Sequence, residues 1–522
     1  MKKIKLVITT LFCFLACFTL SAQLTLENFQ KVSSISGNLG VSLTYNEAFG
    51  YRMSCIGDLD GDGVPDIAVA APGDNDGGPA RGAIYILFMK SDGTVKSTQK
   101  ISYNSGNLGI NLADNERFGH SVNVIGDLDG DGVQDLIVGA VGHNSFVGGA
   151  YILFMKKDGT VKGHTLIDGN TPNFSYSTAY EFGHDVVSPG DVDGDGVQDV
   201  AVGSIMDNDG GNTYGAVYVI FMKRDGSVKG FQKISETQGN LNLSLSPNGY
   251  FGYSLGKIGD ANGDGTPDLI VGAPEEAVST NPTGAVYILY LKPDGTVKSH
   301  TKIDYSTNNF QNVLQPSEAF GTSVQMIDDA NGDGIKDLLV GAEHYNSSTN
   351  DKGTVYVFYL DASQGIKSYE RIGASTSSAL DGVVQSGSLY GISVIYLPNF
   401  NNTYTHTIAI GAIGDNDGNA KAGALYMLFL KGHTTGIEEN TQIYSNTFHI
   451  YPNPSTDILD IEFEKSLSKR TVELLDITGK TILEQQTSDA KCILSLTGFP
   501  KGIYFVRVSD NDNVFTEKLV KQ

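Results

Sequence analysis

The chain is predicted to be all-β: a β-propeller of six four-stranded antiparallel blades, closed by its own N-terminal strand, followed by a small C-terminal β-sandwich. Three observations predict it. A nine-residue acidic loop recurs five times, beginning at Asp58, Asp127, Asp191, Asp260 and Asp329, in steps of 69, 64, 69 and 69 residues. An aromatic-Gly pair precedes each copy (Phe49-Gly50, Phe118-Gly119, Phe182-Gly183, Phe251-Gly252 and Phe320-Gly321), and a sixth pair, Tyr390-Gly391, opens a weaker repeat. Between these marks the chain alternates short β-branched runs with Gly-containing turns, the signature of strands in a repeat array.

Within a repeat the order is constant. A first strand follows the aromatic-Gly pair (GHSVNVIG, 119–126), then the acidic loop, then a second strand (DLIVGA, 135–140). A variable loop leads to a third strand (GGAYILFMK, 148–156), an Asp-Gly turn (KDGTVK, 157–162) and a fourth strand. Asp-Gly between two extended runs is a hairpin signal, and four antiparallel strands at so long a period make a propeller blade. The chain opens with FQKVSSISGNLGVSLTYNEAFG (29–50), which matches TQKISYNSGNLGINLADNERFG (98–119) at an offset of 69. It therefore begins with a fourth strand that has no blade of its own. The sixth repeat ends at its third strand, GALYMLFLK (423–431). Pairing the two closes the ring and removes an open edge. Seven blades are the alternative and would need a further repeat that this region lacks.

The acidic loops carry the chemistry. They read DLDGDGVPD (58–66), DLDGDGVQD (127–135), DVDGDGVQD (191–199), DANGDGTPD (260–268) and DANGDGIKD (329–337). Like charges at ~5 Å repel by about a kcal/mol even in water, and a divalent cation offsets that crowding. Hard oxygens at positions 1, 3, 5 and 9 with a backbone carbonyl at 7 form a set calcium prefers. The candidate ligands are Asp58, Asp60, Asp62, Val64 and Asp66; Asp127, Asp129, Asp131, Val133 and Asp135; and Asp191, Asp193, Asp195, Val197 and Asp199. The last two loops offer Asp260, Asn262, Asp264, Thr266 and Asp268, and Asp329, Asn331, Asp333, Ile335 and Asp337. Five structural Ca2+ sites are expected. An EF-hand is excluded, because position 12 is Val69, Val138, Val202, Val271 or Val340 inside a strand instead of a bidentate Glu. Asp and Gly also favour metal-free turns, but five copies keep an oxygen donor at the same four positions. The sixth repeat, LPNFNNTYTHTIAIGA (397–412), has lost every acidic ligand and is assigned no metal.

Together with VGAP (271–274) and GAVYI (284–288), the aromatic-Gly pairs and D-x-[DN]-x-D-G-x-x-D loops resemble FG-GAP repeats, the units of the integrin α-subunit propeller and its bacterial relatives. The resemblance covers roughly residues 24–431. It implies calcium loops on one face and partner binding on the other, through the loops between second and third strands and between blades. The chain departs from the integrin pattern in its sixth repeat and in blade number, since that ring has seven.

The expected boundaries are 1–22 for a signal peptide, 23–431 for the propeller, 432–447 for a linker and 448–522 for the sandwich. The first segment has three lysines followed by LVITTLFCFLACFTLSA (6–22), a basic n-region and apolar h-region. FLAC (14–17) imitates a lipobox, but further apolar residues follow it. No other apolar run is long enough to span a bilayer, so no transmembrane segment is expected in the mature chain. The tail alternates as a strand pattern in ILDIEFE (458–464) and IYFVRV (503–508). With YPNPSTD (451–457), LLDITGK (474–480) and FPKGIYFVRV (499–508), it resembles the C-terminal sorting domain of type IX secretion cargo. That implies outer-membrane translocation by the type IX secretion machinery, then release or anchoring to surface polysaccharide.

The formal net charge is −23, with four acidic residues in each of the first three loops and three in each of the last two. Much of the excess is a metal-site signature, and no basic face suits nucleic acid. Two of the four cysteines leave with the leader, and Cys55 and Cys492 make no disulfide framework. No nucleophile or metalloprotease motif is present, and His120 and His184 occupy equivalent repeat positions, which reads as structural. Three loops between second and third strands carry Asp-Asn-Asp (74–76, 207–209 and 415–417), open to a cation or a partner's basic group, or else plain solvated turns. Inter-blade loops such as GNTPNFSYSTAYE (169–181) offer Tyr and Asn for recognition. The expectation is a secreted or cell-surface calcium-binding propeller acting as an adhesion or recognition module for an unknown extracellular protein or glycan. A structural surface component and a polysaccharide-acting enzyme are the alternatives.

Overall fold

The computed structural model describes residues 24–176, 180–278, 281–311, 313–344, 352–374, 376–401, 403–432, 448–463, 469–477, 479–509 and 514–522. The predicted signal peptide and nearly all of the predicted linker lie outside the described residues. The chain divides into two compact units, 1–436 and 437–522. No described helix is long and apolar enough to cross a membrane.

The first unit contains six four-stranded antiparallel sheets. Blade 1, for example, comprises Met53–Gly57, Asp66–Ala71, Ala83–Met89 and Val95–Ile101. The second and third strands of each blade are almost wholly buried, as in Asp135–Ala140 and Gly149–Met155. Successive side chains point to opposite faces, so each strand serves two interfaces. Ile67 and Val69 pack with Leu425 and Met427 of blade 6, while Ala68 and Ala70 pack with Leu136 and Val138 of blade 2. The core therefore lies between blades, which explains why these runs are apolar throughout.

The aromatic-Gly pair makes the joint between blades. The amide of Phe118 donates to the carbonyl of Arg81 at 2.9 Å, and the Phe118 ring is fully buried. The next residue of the preceding blade must be glycine: a Cβ on Gly82, at φ +86°, would stand 2.0 Å from the Phe118 oxygen. Ring closure repeats this joint. Phe49 donates to the carbonyl of Ala422 at 3.0 Å and bridges Gly423. Thr25–Val32 pairs antiparallel with Ala424–Lys431, so the N-terminal strand completes blade 6.

The residue after each glycine faces the axis. Tyr51, His120, His184 and Tyr253 stack in sequence with ring centroids 4.6, 4.7 and 4.4 Å apart. Burial pushes His120 down to about 3 and His184 well below its ordinary value, so both imidazoles are neutral packing groups. Arg52 of blade 1 fills the axis. Its guanidinium donates to the carbonyls of Ile392 (2.7 Å), Tyr51 (3.1 Å), Tyr253 (3.2 Å) and Thr322 (3.3 Å) and pairs with Asp185 at 3.6 Å. One side chain thus ties blade 1 to blades 3, 4, 5 and 6. The cavity beside it is about 30 Å³, room for about one water.

The second unit has a three-stranded sheet (Phe448–Tyr451, Ile458–Phe463, Lys491–Ser495) and a four-stranded one (Thr481–Thr487, Arg470–Leu475, Gly502–Ser509, Val514–Lys521). They enclose Leu459, Ile461, Val472, Leu474 and Val506 as a β-sandwich. Cys55 is half-buried, Cys492 is buried, and both are free thiols.

Removing one partner of a buried ion pair costs about 3–5 kcal/mol. Arg52→Met should therefore lower the melting temperature of the propeller by several degrees, and adding Asp185→Asn should restore part of the loss. Thermal unfolding of the single and double variants checks this.

Candidate metal centres

Each acidic loop joins the first and second strands of blades 1 to 5, and its carboxylates first organise the loop itself. In blade 1 the Asp58 carboxylate accepts amides from Gly61 (2.7 Å), Asp62 (2.9 Å) and Gly63 (2.8 Å), and Asp62 accepts the amide of Val64 (3.0 Å). Position 9 anchors the loop to the blade. Asp66 accepts the amides of Leu59 and Met89, each at 2.9 Å, so one carboxylate ties the turn to the third strand. Asp135, Asp199, Asp268 and Asp337 repeat this pattern with Met155, Met222, Leu291 and Leu360. All five are fully buried, and burial pushes each carboxyl up to about 6.

The predicted ligands converge unequally. Carboxylate oxygens of Asp58, Asp60 and Asp62 lie within 4.8 Å of one another, as do those of Asp127, Asp129 and Asp135, and of Asp191, Asp193 and Asp199. Asp131 and Asp195 sit beside their clusters. Each accepts the amide of its position-7 residue, Val133 or Val197, at 2.9 Å. In blades 4 and 5, Asn262 and Asn331 replace one carboxylate at position 3, and Thr266 and Ile335 occupy position 7 under Asp264 and Asp333.

A positive charge sits on every loop, and sequence reading missed it. Lys96 Nζ reaches Asp60 at 2.8 Å and Asp62 at 2.6 Å; Lys162 reaches Asp129 at 2.7 Å and also Asp131; Lys229 reaches Asp193 and Asp195, both at 2.6 Å. Lys298 and Lys367 contact only Asp264 (2.7 Å) and Asp333 (2.6 Å). The ammonium stands where a cation's charge would act. The all-oxygen, carboxylate-rich donor set around it fits a hard divalent ion. The available signal was the lysine two residues after each Asp-Gly turn's Thr or Ser, or its counterpart in blade 5.

On the opposite end of the blades the Asp-Asn-Asp loops prove to be internal latches, neither solvated turns nor open cation sites. Lys100 donates to Asp74 at 2.6 Å, Lys233 to Asp207 at 2.8 Å, and Lys31 to Asp415 and Asp417, both at 2.8 Å. The buried hydroxyls of Tyr85, Tyr218 and Tyr426 join them at 3.2, 3.0 and 3.0 Å. Blade 2 exchanges the parts: Leu166 stands where the lysine was, and His143 stands in the loop. The His143 ring meets Glu116 at 2.6 Å and lies 3.6 Å from Asp168. The bond to Glu116 raises the histidine above its ordinary value. Exposed Ile35, Tyr45, Phe146 and Tyr180 lie on loops of this same end.

The FG-GAP repeat model matches residues 54–87, 251–289 and 320–358, an FG-GAP-like repeat matches 127–202, and the secretion system C-terminal sorting domain matches 449–522. Integrin alpha-PS2 of Drosophila melanogaster is 28% identical over 239 residues, covering 44% of this chain and 15% of that protein. Integrin alpha-3 of Cricetulus griseus is 31% identical over 195 residues, covering 37% and 17%. Phosphatidylinositol-glycan-specific phospholipase D of Homo sapiens is 24% identical over 307 residues, covering 53% and 34%. The chain thus spans about a third or less of these curated relatives. Among solved structures, PorZ, a surface component of the type IX secretion system of Porphyromonas gingivalis, is 14% identical over 92% of this chain and 60% of that one, with a TM-score of 0.36. That score is too low to bear on the fold.

The raised value of His143 makes its latch pH-dependent. A group whose folded pKa exceeds its unfolded one stabilises below the unfolded value and loses that contribution as pH rises through the folded value. Wild type should exceed His143→Gln in melting temperature at pH 6, and the gap should shrink by pH 8.5.

Proposed function

We propose that this chain, which carries FG-GAP repeats and ends in a secretion system C-terminal sorting domain, is an extracellular recognition module whose ring is stiffened by Ca2+ in blades 1 to 5. One observation carries the proposal: an acidic loop with a lysine on it recurs five times on a single end of the blades, and in blades 1 to 3 its carboxylate oxygens converge within 4.8 Å of one another. The ligands at each loop are the position 1, 3, 5 and 9 side chains and the position-7 carbonyl. The other end is left to long loops with exposed aromatic side chains, which suit an extracellular protein or glycan partner. The sorting domain supports export through the type IX machinery to the outside of the cell, with surface-polysaccharide anchoring as one fate. In this reading residues 1–22 form the leader, 23–431 the recognition ring, 432–447 the linker and 448–522 the export address.

The cation's contribution has a definite size. Extracellular calcium modules bind at about 10⁻⁴ to 10⁻³ M. At ~1 mM calcium and a Kd of ~0.1 mM each site adds about 1.4 kcal/mol, so five add about 7. That is comparable to the whole stability of an ordinary domain, about 5–15 kcal/mol.

Thermal unfolding of the mature chain should show a large rise in melting temperature with calcium over excess chelator. Asp129→Ala should remove one site's share in calcium and change little in chelator; the absence of any calcium shift sinks the metal reading. Recognition is tested separately, by binding of the calcium-loaded chain to arrays of matrix proteins and glycans. Tyr45→Ala and Tyr180→Ala should weaken that binding without moving the melting temperature.

A further inference from the structure

The five loop lysines share one structural position. Lys96, Lys162, Lys229, Lys298 and Lys367 are each the second residue of their blade's outer strand, and in every case the register with the third strand shifts there. A bulge leaves one residue out of the ladder and re-aims its side chain; here it aims lysine at the acidic loop of its own blade. Where positions 3 and 5 are both Asp, in blades 1 to 3, Nζ bridges the two carboxylates; where position 3 is Asn, it holds only position 5. Blade 6 is the internal control. Its outer strand shifts register between Leu26 and Asn28, which puts Glu27 in the lysine's place, and its loop between first and second strands contains no carboxylate. The lysine is present where the acidic loop is present and is replaced by an acid where it is not.

We propose that the bulged lysine is the loop's resident cation, balancing the carboxylates before calcium arrives and competing with calcium for the oxygens of positions 3 and 5. It thereby sets how tightly each loop holds the ion. This rests on the calcium reading above. An ammonium and a divalent ion drawn to the same two carboxylates repel each other, and at a few ångströms near water that repulsion is worth about a tenfold change in binding at low salt. The competition is strongest in blades 1 to 3, where lysine engages two ligands.

The test is a calcium titration of the mature full-length chain by calorimetry at low ionic strength, set against the triple variant Lys96→Met, Lys162→Met, Lys229→Met. The variant's calcium dissociation constant for these loops should fall about tenfold, and its melting temperature in chelator should drop below wild type. A second triple variant with Arg at the same positions keeps the charge and should retain wild-type affinity. Calcium binding of equal strength in wild type and the Met variant overturns the lysine's role while leaving the calcium sites standing. Weaker binding in the Met variant also overturns it, because lysine would then shape the loop for the ion. No binding in either protein removes the calcium reading, and the competition with it.

Discussion

Adjacent blades meet where the amide of an aromatic residue donates to a carbonyl of the blade before it, at an approach so close that only glycine fits beside it. The contact occurs six times, at 2.9–3.3 Å, from Phe49, Phe118, Phe182, Phe251, Phe320 and Tyr390. Phe49 makes it with the chain's last blade, so closure uses the same bond as every internal joint. Because the joint is backbone to backbone, it fixes the spacing between blades whatever the loops contain. That leaves both rims free to vary, one toward charge and one toward exposed aromatic residues. It also brings the residue after each glycine to the axis, where Tyr51, His120, His184 and Tyr253 close the channel over Arg52.

Both rims then face one electrostatic problem, carboxylates crowded against low-dielectric blades, and the outer strand answers both. In blade 1, Lys96 meets Asp60 and Asp62 at one end of the strand while Lys100 meets Asp74 near the other. The second cluster is buried: the side chains of Lys233 and Asp207 are 9% and 0% exposed. A buried pair holds its geometry because breaking it strands a charge. The first cluster is wet, with Lys96 42% exposed, and exposed pairs contribute little. The wet end is therefore the one at which the proposed divalent ion would displace or rearrange the ammonium. Chemistry that looks alike in composition, Asp beside Lys, is thus a buried latch at one rim and a solvent-exposed ion pair at the other, and burial makes the difference.

The repeats made the fold legible. Period, the Asp-Gly turns and the orphan fourth strand at the N-terminus predicted four-stranded blades and their closure, because each signal is averaged over several copies. The position-9 carboxylates were legible as oxygen donors of the loop, but the task they perform in the blade, accepting a third-strand amide, was not, since nothing in the sequence pairs Asp66 with Met89. Arg52 and Asp185 were invisible for the opposite reason. Each occurs in one blade only, at a position that is serine in the other blades, and nothing in the sequence says that the two meet at the axis. The Asp-Asn-Asp motifs misled because acidic turns are ordinarily solvated; the lysine that buries them lies 26 residues away in blades 1 and 3, across the sheet.

Blade 6 shows what the acidic loop replaces. Its counterpart segment buries Leu397 and Phe400, and Tyr404 stacks on Phe429 with centroids 5.1 Å apart. Asn401 reaches across to donate to the carbonyl of Ser91 of blade 1 at 2.9 Å. The rim that elsewhere holds charge here holds apolar contact and a bond between the first and last blades. That placement follows from how the ring closes. This blade is held by a strand from the far end of the chain, so its integrity rests on non-covalent pairing alone, and an acidic loop there would add carboxylate crowding that only a lysine or a bound cation offsets. An apolar loop and Glu27 in the lysine's place remove that dependence. On the proposed reading calcium would bear on the five blades whose strands are continuous in sequence, and the joint that keeps the ring closed would not need it.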